Sequence, residues 1–251
     1  FGTVGTVDSL QVYNNTSVPF NQTCLFAFLN KEASEAIGVS AGVPFGALPM
    51  YSFWNIVVLG DEDLPFGPAK SENSRNSRVP KMLGHRAFRF ARKMFYVDSK
   101  LKILQLEILL LFADVNLIQE NAAWVSPRHP KRLSAYTEAK CAHKLGLVGD
   151  IAVEQMALYK SKGFPSAPEQ SGGPGLIEGE WHIRDLSRPE SEMIGCEWFR
   201  EYQHWGHRRD QLSFNYVAWS LFQNGTTDEA AWRKQNPPFV YTKTSTRGLL
   251  Q

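Results

Sequence analysis

Apolar residues along this chain fall into short dense runs separated by polar, Pro- and Gly-rich stretches. From Phe53 to Leu59 the run is nearly continuous and stops at Gly60-Asp61-Glu62-Asp63, which reads as a buried strand closed by a turn. Residues 64–80, rich in Pro, Ser and Asn, read as a loop. A helix is expected from Val79-Pro80, the proline in its first turn, through Met82, Leu83, His85, Arg86, Phe88 and Phe90. Lys93 to Val97 is a second strand ending at Asp98, and Ile103 to Phe112 a further helix. Ala122 to Val125 is the next strand, followed by a stiff Pro127-Arg128-His129-Pro130 loop and helices over about 131–145 and 151–161. A Pro- and Gly-rich loop over 163–179 leads to a strand over Glu180–Arg184. A last helix, about 209–222, precedes a polar tail.

Strands of continuous apolar character alternating with helices predict an α/β fold, with a mostly parallel central sheet flanked by helices. Ligands of such folds sit beyond the carboxyl ends of the strands, where Asp61, Asp98 and Arg128 fall. The 251 residues suit one domain over 1–236 with a tail over 237–251.

Composition narrows the function classes. With 43% hydrophobic and 21% charged residues the chain is globular, not disordered. A net charge of +2 argues against a nucleic-acid partner. Basic residues nevertheless crowd between Lys70 and Lys102, which points to a local anion site. No apolar run reaches the roughly 18 residues of a membrane span; the greasiest, Ile103 to Phe112, contains Gln105 and Glu107. The chain begins at Phe1-Gly2, so an excised domain is expected, with any anchor or targeting segment outside it. Cysteines at 24, 141 and 196 allow at most one disulfide and match no metal spacing. Asn-X-Ser/Thr sequons at Asn14, Asn15, Asn21 and Asn224 lean towards a secretory-pathway lumen.

Four segments carry candidate chemistry. Tyr96-Val97-Asp98-Ser99-Lys100 is a strand end where a carboxylate would hold Mg²⁺ or Mn²⁺ against a diphosphate. Its second carboxylate is replaced by Lys100, which would repel a metal yet itself neutralise phosphate, so a metal-independent site is equally open. The plainer reading of Asp98 is a helix cap. Arg75, Arg78, Lys81 and Arg86 form a basic set, with Lys81 and His85 four apart on one helix face; solvated charges are the alternative. Arg128-His129, held between prolines, offers a general base or a donor to sugar hydroxyls. Arg209-Asp210-Gln211 opens a helix after the aromatic residues Trp198, Phe199, Tyr202 and Trp205. There Asp210 is either a cap or, with Gln211, a reader of hydroxyls at the rim of a sugar cleft.

In order and spacing these blocks resemble a plant-type, mucilage-related glycosyltransferase-like domain family. The resemblance rests on Arg78-Val79-Pro80-Lys81 with His85-Arg86, on Tyr96 to Leu101, and on Arg128-His129-Pro130-Lys131-Arg132. It continues through Tyr136, Glu138-Ala139, Gln155, Tyr159 and Gly163 to Cys196, Trp198-Phe199 and Arg209 to Phe214. Phe1-Gly2 with Asp8 fits the family's first strand, which would then begin before residue 1. The resemblance implies a GT-A-like nucleotide-diphospho-sugar transferase fold, hexosyl transfer to a polysaccharide or glycan, and a Golgi lumenal location. Two positions depart from the family pattern. Asp185-Leu186 stand where an acid and a His are expected after Arg184, and Val153-Glu154 replace the usual acid before Gln155.

The reading that follows is a nucleotide-sugar-dependent hexosyltransferase. Asp98, Lys100 and Asp210 are the catalytic candidates, with Asp98 also a metal candidate. Arg78, Lys81, His85, Arg86, Arg128, His129, Arg209 and Gln211 are substrate-binding candidates. The alternatives are a hydrolase, including one acting on lipid amides, and a catalytically silent carbohydrate-binding or scaffold domain.

Overall fold

A computed structural model describes residues 24–39, 50–51, 54–98, 101, 111–112, 114–115, 117–118, 121–166, 175–222 and 239–242. Chain packing divides it into two compact units, residues 1–84, 96–111 and 246–251 forming one and residues 85–95 and 112–245 the other.

The first unit holds a three-stranded sheet. Strand β1 (Leu25–Asn30) lies parallel to β3 (Trp54–Leu59), Leu25 opposite Trp54 and Asn30 opposite Leu59. Strand β2 (Met50–Tyr51) adds to β3 antiparallel. Buried Trp54 and Ile56 anchor β3, so the apolar run expected there is a half-buried strand. Asn30 ends β1 and caps helix α1 (Lys31–Ala36), its Oδ1 accepting from the Ala33 N–H at 3.0 Å. In the loop that follows β3, buried Asn76 of helix α2 (Asn73–Asn76) accepts from the Phe66 N–H and donates to the Gly67 carbonyl. Helix α3 (Val79–Ala87) starts where Pro80 predicts and stops short of the fully exposed Phe90. The helix expected over Ile103–Phe112 lies mostly outside the described residues.

A four-stranded sheet has the order β4-β6-β5-β7, from β4 (Lys93–Val97), β5 (Trp124–Pro127), β6 (Trp181–Asp185) and β7 (Phe239–Thr242); Lys93–Phe95 count with the second unit and Tyr96–Val97 with the first. β5 runs antiparallel to β6 and parallel to β7. The mostly parallel sheet expected from sequence is therefore corrected to a mixed one. Continuous apolar character reports burial on both faces, and β5 and β6 are both buried; it does not report strand direction. Strand β7 lies in the segment expected to be tail.

The helices described without gaps in this unit are α4 (Ala135–Lys144), α5 (Ile151–Ser161), α6 (Pro189–Trp205) and α7 (Gln211–Phe222). The sequence reading left α6 unassigned, although Pro189 in its first turn and Glu190 and Glu192 beside the positive end of its dipole are start signals. It ends at Gly206, whose φ of 66° lets its N–H return to the Tyr202 carbonyl. Helix α4 starts at Ala135 rather than near 131, because Ser134 caps it: the Ser134 Oγ accepts from the Thr137 N–H and Thr137 Oγ1 from the Ser134 N–H.

Trp124 is the centre of the core. Its ring lies 4.6 Å from His182, 5.2 Å from Phe214 and 5.8 Å from Trp198, distances at which aromatic pairs attract beyond their buried area. Trp198 also donates from Nε1 to the Asp210 carbonyl at 2.8 Å, tying α6 to the start of α7. Trp198→Phe removes that donor and leaves a gap beside Trp124. We expect a loss of about 1–3 kcal/mol, read as a lower urea midpoint at unchanged slope.

Candidate active site

Within the first unit, Asp98 sits at the end of β4. The Tyr96 hydroxyl donates to its Oδ1 at 2.7 Å, and the Lys81 ammonium lies 5.6 Å from the Tyr96 ring centroid. Lys81 and Tyr96 are buried, whereas Asp98 is half-buried. The strand-end carboxylate thus accepts from a phenol. Its backbone carbonyl accepts from the Leu101 N–H; Ser99 and Lys100 lie outside the described residues. Arg78 folds back onto Ser74 of its own turn, and Arg75 pairs with Glu72 over the Phe66 ring. The basic set is therefore divided: these two have local work, and Lys81 faces the strand end.

The second unit brings Arg128-His129 and Arg209-Asp210 into one network. After Pro127, Arg128 bridges to Ile177, and His129 donates its backbone N–H to the Leu176 carbonyl at 2.7 Å. Helix α7 holds the other side of that segment: Gln211 Nε2 donates to the Ile177 carbonyl at 3.0 Å, and Asn215 Oδ1 accepts from the Ile177 N–H. Gln211, expected at the rim of a sugar cleft, thus fixes a loop through its amide nitrogen.

His129 Nδ1 accepts the backbone N–H groups of Lys131 and Arg132 at 3.1 and 2.9 Å. Its Nε2 lies 3.2 Å from Arg132 Nη1 and 3.8 Å from Glu178. Burial holds the His129 pKa below the ordinary imidazole value, with Glu138 opposing and Arg132 assisting.

Glu138, 1% exposed, is the hub. It lies in the first turn of α4, with Arg132 at 2.6 Å and Arg209 at 3.9 Å. Burial works against the Arg132 charge, but Glu138 and Cys141 outweigh it and the net shift of its pKa is upward. The sequence reading used Glu138 only as part of a family block. Its signal was present: with the helix starting after Ser134, a carboxylate falls on the face that buries Ala135, Ala139 and Ala142.

A directed chain of hydrogen bonds positions Arg209. Its backbone N–H donates to His207 Nδ1 at 3.1 Å, and His207 Nε2–H donates to Gln155 Oε1 at 2.7 Å. Gln155 Nε2 donates to the Tyr159 hydroxyl, and that hydroxyl donates to Glu201, both at 2.8 Å. Trp205 Nε1 adds a second donor to the same Glu201 oxygen. Asp210 follows directly, buried, at the residue before α7. The guanidiniums of Arg132 and Arg209 are set against Glu138, and His129 faces Glu178. Such a balanced mix of donors and acceptors suits a polyhydroxyl ligand better than a bare anion.

His85 and Arg86 belong to a third group. Arg184 Nη2 lies 3.1 Å from His85 Nδ1, and the Cys196 sulfur is 3.4 Å from both His85 Nε2 and Arg86 Nη2. Among the described residues, His85, Glu192 and Cys196 are the group whose ligand atoms converge within 4.8 Å. Their N/O/S donor set, beside two guanidiniums, does not fit Mg²⁺ or Mn²⁺, which take oxygen ligands. Asp98 joins no such group among the described residues. All three cysteines are free thiols.

The fold and these networks define a mixed α/β domain with a strand-end carboxylate in its first unit and a buried charged network in its second. Residues 2–233 match the family described as TOD1/MUCI70, glycosyltransferase-like domain, and the chain belongs to that family. It is 28% identical over 220 residues to an Arabidopsis thaliana protein described as "Probable hexosyltransferase MUCI70". That match covers 84% of this chain and 35% of the relative, so the chain spans about a third of that relative's length. Among solved structures it is similar to apo mouse xyloside xylosyltransferase 1, at 8% identity and TM-score 0.43, over 87% of this chain and 71% of that one.

The His129 geometry gives a pH dependence of defined sign. Its folded pKa lies below the unfolded value of about 6.5. Between the two the unfolded chain binds more protons, so the stability it contributes is present above pH ~6.5 and is lost as pH falls through the folded pKa. His129→Asn keeps an acceptor for the two backbone N–H groups and removes the titration. We expect the variant to lose stability less steeply than wild type below pH ~6.5, by up to about 1.4 kcal/mol per pH unit, measured by urea unfolding. Equal slopes would exclude His129 as the source.

Proposed function

We propose that this domain transfers a glycosyl group from a nucleotide-sugar donor to a polysaccharide or glycan acceptor. The observation that carries the reading is Asp98, held half-buried at a strand end by the Tyr96 hydroxyl with Lys81 alongside, in a chain of glycosyltransferase-like family. In the first unit Asp98 accepts hydroxyls of the donor sugar, and Lys81 and Lys100 balance the diphosphate charge. One Asp98 oxygen already accepts from Tyr96, and in this reading the leaving-group charge falls to the lysines. In the second unit His129, Arg128, Arg209 and Asp210 supply the donors and acceptors that read sugar hydroxyls. On transfer, an acceptor hydroxyl oxygen bonds to the anomeric carbon, the bond to the diphosphate breaks, and the hydroxyl proton passes to a carboxylate base.

Four sequons support a Golgi-lumenal setting. No helix among the described residues is long and apolar enough to cross a membrane.

The test is thermal denaturation with UDP- and GDP-sugars, each with and without Mn²⁺. A true donor at about 100 times its dissociation constant stabilises the fold by roughly 2.7 kcal/mol. Asp98→Asn should abolish that gain while leaving the ligand-free midpoint within a few degrees. If no nucleotide sugar moves the midpoint under any condition, donor binding is refuted. Product release without nucleotide would favour hydrolysis instead.

A further inference from the structure

The turn between α3 and β4 lies outside the groups assigned to sugars. Residues 85–95 belong to the second unit. The Ala91 N–H donates to the Phe88 carbonyl at 3.0 Å, closing a β-turn with Arg89 and Phe90 at its centre. Its base is held where the Leu186 N–H donates to the Arg92 carbonyl at 2.7 Å. Gly, Asn, Asp and Ser form such turns most easily; here an arginine and an aromatic ring stand instead. Phe90 is 100% exposed. A lone exposed apolar residue is ordinary, but this one stands at an apex with cations on both sides.

From Arg86 to Lys93 the chain carries Arg86, Arg89, Arg92 and Lys93 and no acid. Two of these cations are engaged. Lys93 pairs with Asp114, and Arg86 Nη2 lies 3.4 Å from the Cys196 sulfur, where Glu192 also converges. Arg89 and Arg92 are exposed. Among the described residues, neither they nor Phe90 have a side-chain hydrogen bond, ion pair or ring contact.

We propose that this turn is a membrane-contact site, Phe90 entering the interface of a bilayer while Arg89 and Arg92 pair with anionic headgroups. An apolar tip rimmed by cations gains from both parts of such an interface. A soluble polyanion would meet the same arginines but gives a protruding ring nothing to enter. Sugar rings are gripped in concave sites, and Phe90 has no wall beside it. Burying a phenylalanine favours the bound state by about ten- to a hundredfold. Each arginine near an anionic surface adds about fivefold. Their product falls short of a single myristoyl chain, whose binding is itself marginal. The contact therefore orients the domain on a bilayer and does not hold it there alone. Insertion of Phe90 needs only a bilayer interface; the arginines add selectivity for anionic headgroups, in whichever compartment these are presented.

The test is flotation of the full chain with vesicles of phosphatidylcholine alone and of phosphatidylcholine mixed with phosphatidylglycerol. We expect wild type to bind the mixed vesicles more tightly. Phe90→Ser should weaken that binding by about tenfold or more, at low and raised salt alike. Arg89→Gln and Arg92→Gln should each weaken it by about fivefold at low salt, an effect that raised salt removes. Phe90→Trp should keep the binding and gain a tryptophan emission that brominated acyl chains quench beyond the wild-type level. All three positions are exposed, so the lipid-free thermal midpoints should match wild type. Failure of wild type to float with mixed vesicles at millimolar lipid would overturn the proposal, as would equal binding to the two vesicle types. Unchanged affinity in Phe90→Ser, or no added quenching in Phe90→Trp, would do the same. So would binding of dextran sulfate but not vesicles, weakened in Arg89→Gln, since the turn would then serve a soluble polyanion.

Discussion

A carboxylate with 1% of its surface exposed persists as an anion only when cations are held against it. For Glu138 those cations come from segments far apart in sequence, Arg132 before α4 and Arg209 before α7. Each pairing fixes a loop end that would otherwise lack a reason to stop where it does. Arg132 is placed by the turn that His129 closes through its Nδ1, so satisfying Glu138 also orients the imidazole. Arg209 is placed from behind by His207, and Asp210 comes with it. One buried charge therefore dictates the positions of the groups assigned to sugar hydroxyls.

The chain from His207 through Gln155 and Tyr159 to Glu201 supplies the second half of that constraint. Every donor in it has a single acceptor, so the amide of Gln155 and the tautomer of His207 have one consistent setting. Tyr159 also stacks on Tyr216 of α7 at 3.7 Å. Burial drives the Tyr159 pKa upward, with Glu201 adding to the effect, so the hydroxyl remains a donor. Helices α5, α6 and α7 are in this way locked by polar bonds that have direction, where apolar packing alone would permit small slips.

Much of this was legible in the residues. The run ending at Leu59, the Pro80 helix start, the span of α5 and the strand end at Asp98 all follow from period and punctuation. Direction was not legible, because a strand covered on both faces reads the same either way, and β6 runs antiparallel to β5. Helix α6 escaped because its bulky aromatic residues drew attention from Pro189 and the acids beside it. Glu138 was visible only as a matched residue; its importance depends on Arg209, 71 positions away, and no local pattern carries that pairing. The basic set between Arg75 and Arg86 looked like one face, yet its members have separate partners.

The two positions that depart from the expected family pattern lie where side chains have little structural work. Val153 and Glu154 are exposed on α5, whereas Gln155 beside them is fully buried in the hydrogen-bond chain. Asp185 accepts from the N–H and hydroxyl of Ser187, closing the turn after β6, and Leu186 donates its backbone N–H to the Arg92 carbonyl. A contact made by backbone tolerates a change of side chain, and an exposed helix position does so equally. Arg184, within β6, has its side chain fully buried, as do Glu138 and Gln155. The departing positions therefore fall where the fold is permissive, and the charges and hydrogen bonds around Glu138 and Gln155 do not pass through their side chains.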